Sequence, residues 1–137
     1  MNITVIDGHG GLLGAQLIKE ISQQFPQTEI TAIGTNASAT AAMLKAGASK
    51  GATGENPVIV ACRHADIIIG PIGIVVADSL LGEVTPKMAV AIGQAAATRI
   101  LIPMNRCENL VAGVRELSTG ALIEDVLAKL RQLLSAG

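Results

Sequence analysis

A cluster of glycines follows the first apolar run of the chain and is framed by an acid and a histidine. The run Ile3–Ile6 leads directly into the stretch DGHGGLLG. The candidate ligand-binding residues in this stretch are Asp7, Gly8, His9, Gly10, Gly11 and Gly14. Gly8, Gly11 and Gly14 are spaced G-x-x-G-x-x-G, which differs from the strict dinucleotide-binding motif G-x-G-x-x-G. Glycines in such a loop permit a tight turn, the approach of the backbone to a phosphate and close packing of the helix on the strand. The stretch therefore predicts a phosphate cradle at a helix N-terminus, with a turn needed only for packing as the alternative.

Asp7 is an unexpected neighbour for a phosphate, because its negative charge would repel the ligand. It is a candidate to bind a ribose hydroxyl, to hold Mg²⁺ through water, to pair with Arg106 or to act as a general base. Alternatively, it accepts backbone N–H groups of its own loop, as Asx residues before glycine often do. His9 is a candidate to donate to an anion or to transfer a proton.

Polar residues also follow the second apolar run, Glu29–Ile33. Gly34 stands where a nicotinamide dinucleotide fold usually has an acid for the ribose hydroxyls. Thr35 and Asn36, together with Ser38, are candidates to bind a ribose or a phosphate, or else to cap the next helix.

Two later strand ends complete the predicted pocket. The stretch GPIG supplies Gly70, Pro71 and Gly73, which form either an anion nest or a turn fixed by proline. Asn105 and Arg106 follow a run that ends at Ile102, and Arg106 either grips a phosphate or carboxylate or is solvated. The remaining polar points are expected to be solvated: Glu55, Asn56, His64, Glu83 and Lys87.

Strand and helix patterns alternate along the chain, which predicts an α/β fold. Strands are expected at Ile3–Ile6, Glu29–Ile33, Ser49–Ala52, Asp66–Ile69, Arg99–Ile102 and Leu110–Val114. Helices are expected at Gly11–Gln24, from Asn36 or Ser38 to Gly47, within GENPVIVACRHA, within PIGIVVADSLLGE, from Pro86 after the N-cap Thr85, and at Ala121–Leu134. Near-continuous apolar strands indicate a parallel sheet covered on both faces. We predict one domain over residues 1–137, a three-layer doubly wound sheet with order 3-2-1-4-5 and a possible extra edge strand, with ligands at the carboxyl ends of the strands.

Composition excludes several classes of function. The longest apolar runs have four to five residues, far below the roughly 20 of a membrane-spanning helix. The net charge of −1 and the absence of Trp and Tyr argue against nucleic-acid binding. The two cysteines lie outside any C-x-x-C spacing, and no signal peptide is evident, so we expect reduced thiols in a cytoplasmic protein and no metal site.

Four stretches carry a resemblance to a known family: VIDGHGGLLG, GTNASATAAMLKAGASKGATGEN, DIIIGPIGIVVADSLLGEVTPKMA and ILIPMNRC. In this order, over about residues 1–115, the chain resembles a small uncharacterised bacterial family of Rossmann-like proteins, a domain of unknown function found mainly in anaerobic Firmicutes. The resemblance implies a stand-alone domain but no reaction. The family pattern shares the glycine loop, GTNA, GPIG and NRC.

The leading hypothesis is a protein that binds a nucleotide, such as NAD(P), or another small phosphorylated metabolite. Whether it is an enzyme is left open by the sequence, and phosphoryl or acyl transfer by Asp7 with Mg²⁺ is a weaker possibility. The alternative is an assembly or regulatory subunit without a ligand, since the small apolar helices NASATAAMLKAG and PKMAVAIGQAAA suit packing between protomers. A homodimer is expected in either case.

Overall fold

The computed structural model describes residues 1–104 and 109–136. Asn105 and Arg106 therefore lie outside the described residues, and their predicted role in binding a ligand stays a prediction. The strands are β1 (Asn2–Asp7), β2 (Glu29–Gly34), β3 (Lys50–Thr53), β4 (Ile67–Pro71) and β5 (Thr98–Ile102). All four pairings are parallel and the order is β3-β2-β1-β4-β5, which confirms the predicted doubly wound sheet.

Helices cover both faces of the sheet. They are α1 (Leu12–Gln24), α2 (Ala37–Ala46), α3 (Glu55–Cys62), α4 (Pro86–Gln94) and α5 (Thr119–Ala136), with a short 3₁₀ helix at Ile72–Val75. Helices α1, α2 and α5 pack on the face that carries Val5 and Ile69. Helices α3 and α4 pack on the opposite face, around Ile6 and Ile68. None of the helices that the structure describes is long and apolar enough to cross a membrane.

The sequence explains where the helices begin and which face they bury. The apolar stripe of α1, including Leu17, Ile18 and Ile21, is fully buried against the sheet. Helix α2 begins at an Asn36 N-cap, whose side chain accepts the backbone N–H of Ala39. Helix α4 begins at Thr85 followed by Pro86, as predicted. These elements bring the ends of β1 and β2 to the same edge of the sheet.

Three local predictions are wrong. Leu110–Val114 is not a strand but an irregular segment, and Leu110 is exposed, so this apolar run is not buried against the sheet. The stretch after Pro71 is helical only over Ile72–Val75 and then continues through turns, with left-handed backbone at Asp78, Leu80 and Leu81. His64, which the sequence pattern predicts to lie within the third helix, lies beyond α3, which ends at Cys62, although it is exposed as expected.

Candidate functional site

Asp7 joins the end of β1 to the beginning of α1. Its carboxylate accepts the backbone N–H of Gly8 through Oδ1 and that of Gly14 through Oδ2, both at 2.8 Å. Gly11, the N-cap of α1, has no side chain to cap the helix, so Asp7 performs this role from the strand. The side chain is only 3% exposed. Burial raises the pKa of Asp7, although the two N–H groups and nearby His9 act to lower it.

The three spaced glycines lie in close contact with neighbouring elements. A Cβ on Gly8 would come within 2.6 Å of Thr35 Oγ1, and one on Gly14 within 2.6 Å of Met43 Sδ. A Cβ on Gly11, whose φ is +72°, would lie 2.7 Å from the Ala39 backbone. These contacts explain all three glycines by the packing of α1 on α2 and of the loop on its neighbours. Such contacts are expected if the turn needs glycine only for packing, which is the alternative to a phosphate cradle.

The tip of the same loop is open to solvent. His9, Gly10 and Leu12 are exposed. At the start of α1, the backbone N–H groups of Leu12 and Leu13 belong to the first turn, which has no acceptor inside the helix. Within residues 1–104 and 109–136, no group accepts either of them. The positive end of the helix dipole therefore faces this surface with two unused donors.

The residues after β2 are tied to the glycine loop. Gly34 ends the strand at a point where a Cβ would come within 2.6 Å of the Thr40 backbone nitrogen, so no side chain fits there. Asn36 caps α2 through its Oδ1 and donates from Nδ2 to the His9 carbonyl oxygen at 2.8 Å. Asn36 thus has the capping role foreseen as one alternative, and it also fixes the distance between the two loops.

Glu83 is the group at this edge that the sequence interpretation missed. Its Oε1 accepts the His9 N–H at 3.1 Å, the Thr35 hydroxyl at 2.5 Å and Asn36 Nδ2 at 3.0 Å. Burial acts to raise the pKa of Glu83, but the hydrogen bonds from Thr35, His9 and Asn36 outweigh it and hold the pKa below its ordinary range. The only local signal is an acid between Gly82 and the N-cap Thr85, which does not reveal contacts with residues so far away in the chain.

At the end of β4, the residues from Gly70 to Gly73 make contacts within the protein itself. A Cβ on Gly70 would collide with the Ile6 carbonyl oxygen, which requires glycine there. Pro71 precedes the 3₁₀ helix, and the Gly73 carbonyl oxygen accepts the hydroxyl of Ser79, which is buried. Gly70, Pro71 and Gly73 therefore shape the turn, and an anion nest there stays a prediction.

Other candidates for chemistry lie apart from this edge. Cys62, the last residue of α3, is buried, and burial raises the pKa of its thiol despite the opposing effect of Arg99. The described part of the chain contains no group of three His, Cys, Asp or Glu side chains placed to hold a metal ion.

Two grooves open on the face of α3 and α4. One, of about 420 Å³, lies over β1–β3 beside α3, and the other, of about 690 Å³, runs between α3 and α4. None of the described residues predicted to bind a ligand lines either groove. The glycine loop and the end of β2 therefore form a separate candidate site.

The comparisons with known proteins assign no reaction. Among curated proteins, none matches the sequence. One solved structure with similarity to the chain is the dodecameric FMN-dependent UbiX-like decarboxylase from Escherichia coli O157:H7, at 12% identity. That similarity covers 98% of this chain and 94% of the other, with a TM-score of 0.45. The profile of the family described as domain of unknown function DUF3842 matches residues 2–135, and the chain belongs to this family.

Proposed function

We propose that this protein binds a nucleotide or another small phosphorylated metabolite at the carboxyl edge of its sheet. The observation that carries the proposal is that no group within the described residues accepts the backbone N–H groups of Leu12 and Leu13 at the start of α1, where Leu12 is exposed. They follow β1, which lies between β2 and β4, where the strand order reverses. Ligands of doubly wound sheets bind at this point.

The phosphate would lie against the first turn of α1, beside the exposed tip of the loop at His9 and Gly10. The Asp7 carboxylate is turned toward Gly8 and Gly14 and is buried, which keeps its charge on the inner side of the loop. Arg106, predicted to grip an anion, remains a candidate for the same ligand. The Mg²⁺-binding and general-base roles of Asp7 remain predictions, and no reaction is proposed.

The nature of the ligand is proposed only as a class. NAD(P) has no specific support, because Gly34 replaces the acid that usually follows β2 and leaves no room for a side chain there. A mononucleotide or a sugar phosphate needs only the phosphate site and a few neighbouring polar groups. The cytoplasmic location expected from the cysteines also stays a prediction.

The first test is to identify a ligand that is purified with the protein. Because the chain has no Trp or Tyr, it absorbs little at 280 nm and a released nucleotide is easily seen near 260 nm. The protein is denatured and filtered, and the filtrate is analysed by ultraviolet and mass spectrometry. A nucleotide or sugar-phosphate mass in stoichiometric amount supports the proposal.

The second test is a matched pair of variants titrated with AMP, FMN, NAD⁺ and ribose 5-phosphate by calorimetry. Gly10→Asp places a charge on the open loop tip, where a Cβ meets no closer atom than Leu12 Cγ at 3.9 Å. We expect it to weaken phosphate binding by roughly 10-fold through charge repulsion, without loss of stability. The control Gly93→Asp, in open space on α4, should bind as the wild type does. If no member of the panel binds the wild type, the proposal is wrong.

The alternative function, an assembly subunit, is favoured by one observation. The groove between α3 and α4 is lined by apolar side chains including Ile59 and Ala91, and Val90 at its rim is 53% exposed. A homodimer through this face would be disrupted by Val90→Glu. Light scattering on this variant, with Leu44→Glu on α2 as the comparison, tells which of the two predicted helix faces contacts another protomer.

A further inference from the structure

Within residues 1–104 and 109–136, only one of the two carboxylate oxygens of Glu83 accepts hydrogen bonds. Its Oε1 accepts three hydrogen bonds, from His9 in the loop after β1 and from Thr35 and Asn36 after β2. No group within the described residues donates to Oε2. Three donors from two loops therefore hold Oε1, and Oε2 is the carboxylate oxygen that no described group occupies.

Glu83 lies near the end of β2, where β2 itself supplies no acidic side chain. In dinucleotide-binding folds, an acid following β2 accepts the hydroxyl groups of the ribose whose phosphate lies on the first helix. Here Gly34 ends β2, and the nearby Thr40 leaves no space for a side chain at that point. Glu83 reaches the junction between the glycine loop and the end of β2 from a different segment, the one that follows β4.

We propose that Glu83 is the ribose-recognising acid of the site, with Oε2 accepting the vicinal hydroxyls of a ribose whose 5′-phosphate lies at the start of α1. This inference rests on the proposed function and specifies its ligand class: a ribonucleotide or a pentose phosphate with a free cis-diol. The three donors to Oε1 offset part of the negative charge, which reduces repulsion of the neighbouring phosphate.

The backbone around Glu83 is shaped to hold it in this place. Leu80 and Leu81 both have φ of +56°, a backbone conformation that residues other than glycine rarely adopt. Leu80 is buried, and a Cβ on Gly8 would come within 2.7 Å of Leu80 Cδ1 and 2.9 Å of Glu83 Oε1. Strained backbone persists where surrounding contacts over-determine it, which is common at ligand clamps. Glu83 is therefore a positioned acid and differs from the solvated surface residue expected from sequence.

The test compares ligands that differ only in the diol. Wild type and Glu83→Gln are titrated by calorimetry with AMP, 2′-deoxy-AMP, ribose 5-phosphate and 2-deoxyribose 5-phosphate. The wild type should bind each ribose ligand roughly 10-fold more tightly than its deoxy partner, since the lost hydrogen bond involves a charged acceptor. In Glu83→Gln this preference should fall at least about threefold, because a neutral acceptor forms the weaker bond. The AMP and ribose 5-phosphate arms distinguish a nucleotide from a sugar phosphate.

Two further variants separate recognition from folding and from general charge. Glu124→Gln removes the same charge from an exposed position on α5 and should keep the wild-type preference. Thr35→Val keeps the Glu83 carboxylate but removes one donor that orients it, and should lower the preference even if Glu83→Gln does not fold.

The outcomes distinguish this inference from the proposed function. Equal affinity of the wild type for ribose and deoxyribose ligands overturns the ribose assignment while leaving phosphate binding in place. A preference that is unchanged in both Glu83→Gln and Thr35→Val overturns it as well. If none of the four ligands, nor pyrophosphate as a probe of the phosphate site alone, binds the wild type, phosphate binding itself is wrong.

Discussion

The carboxylate of Asp7 and the backbone N–H of Gly14 are joined by a 2.8 Å hydrogen bond between the last residue of β1 and the first turn of α1. A second bond of equal length to the Gly8 N–H closes the loop between them. The N-cap position itself is Gly11, which offers no side-chain acceptor. The acid at the end of the strand thus replaces the usual capping residue, and this explains why an acid occurs beside a glycine loop.

Substitutions of Asp7 should destabilise the fold, and Ala should do so more than Asn. Asp7→Ala leaves the buried N–H groups of Gly8 and Gly14 without their acceptor, and we expect a loss of about 2–3 kcal/mol in the free energy of unfolding. Asp7→Asn keeps one acceptor oxygen and should lose about half as much. Urea unfolding followed by circular dichroism measures both, with the exposed Asp125→Asn as control. An Asp7→Ala protein as stable as the wild type would show that the cap contributes nothing.

Asp7 should also give the protein a specific dependence on pH. Burial raises its pKa above the ordinary value of 3.8, so the folded protein holds the proton more tightly than the unfolded chain does. The part of the stability that comes from this tighter proton binding is therefore complete below about pH 3.8 and is lost as the pH rises through the folded pKa, while the hydrogen bonds to Gly8 and Gly14 still contribute. The stability advantage of the wild type over Asp7→Asn should therefore become smaller as the pH rises. A gap that widens with rising pH would contradict the assignment.

Glu83 should show the opposite dependence. Its hydrogen bonds hold its pKa below the ordinary value of 4.5, so the stability it contributes is present above pH 4.5 and lost as the pH falls through the folded pKa. Melting temperatures of wild type and Glu83→Gln should therefore differ most above pH 4.5 and come together in acid. Glu124→Gln serves as the control, and a difference that is constant with pH would exclude the three bonds to Oε1 as its cause.

The sheet was predictable from sequence because its determinants are local. Short β-branched runs and the stripe of α1 define strands and helices, and right-handed crossovers then restrict the order of a parallel sheet. The prediction of a strand at Leu110–Val114 was wrong because a short apolar run does not show whether its side chains are buried, and Leu110 is 93% exposed. The contacts of Glu83 were not predictable, since it bonds to His9 across 74 positions of the chain. The glycine spacing was visible, but its packing partners, such as Met43 beside Gly14, depend on the folded arrangement.

Because the glycine loop packs closely against α2 at Gly11 but not at Gly10, alanine at these two positions should have different effects on stability. Gly11→Ala forces an L-residue to φ +72° and brings its Cβ within 2.7 Å of the Ala39 backbone, which cannot move aside easily. We expect a loss of about 3 kcal/mol from left-handed strain and overpacking together. Gly10→Ala, in open space with no positive φ, should change stability by less than about 0.5 kcal/mol. Thermal unfolding of the pair measures this, and equal effects would contradict the α1–α2 contact.

Leu81 offers a substitution that should stabilise the protein. Its side chain is 99% exposed and its φ is +56°, so the residue makes few contacts while holding a strained backbone. Leu81→Gly removes about 1–2 kcal/mol of left-handed strain and costs about 0.4–1 kcal/mol through the greater freedom of the unfolded chain, so the middle of these ranges leaves a net gain of about 0.8 kcal/mol.

The control for this gain is Leu110→Gly, since Leu110 is 93% exposed and is not among the residues with positive φ. It should gain nothing and lose a few tenths of a kcal/mol, because only the cost in the unfolded chain applies. Denaturant unfolding of both variants and of the wild type measures these changes in the free energy of unfolding. If Leu81→Gly is no more stable than the wild type, the turn that carries Glu83 is not strained. If it is more stable but discriminates less between AMP and 2′-deoxy-AMP, the strain serves to position the Glu83 carboxylate.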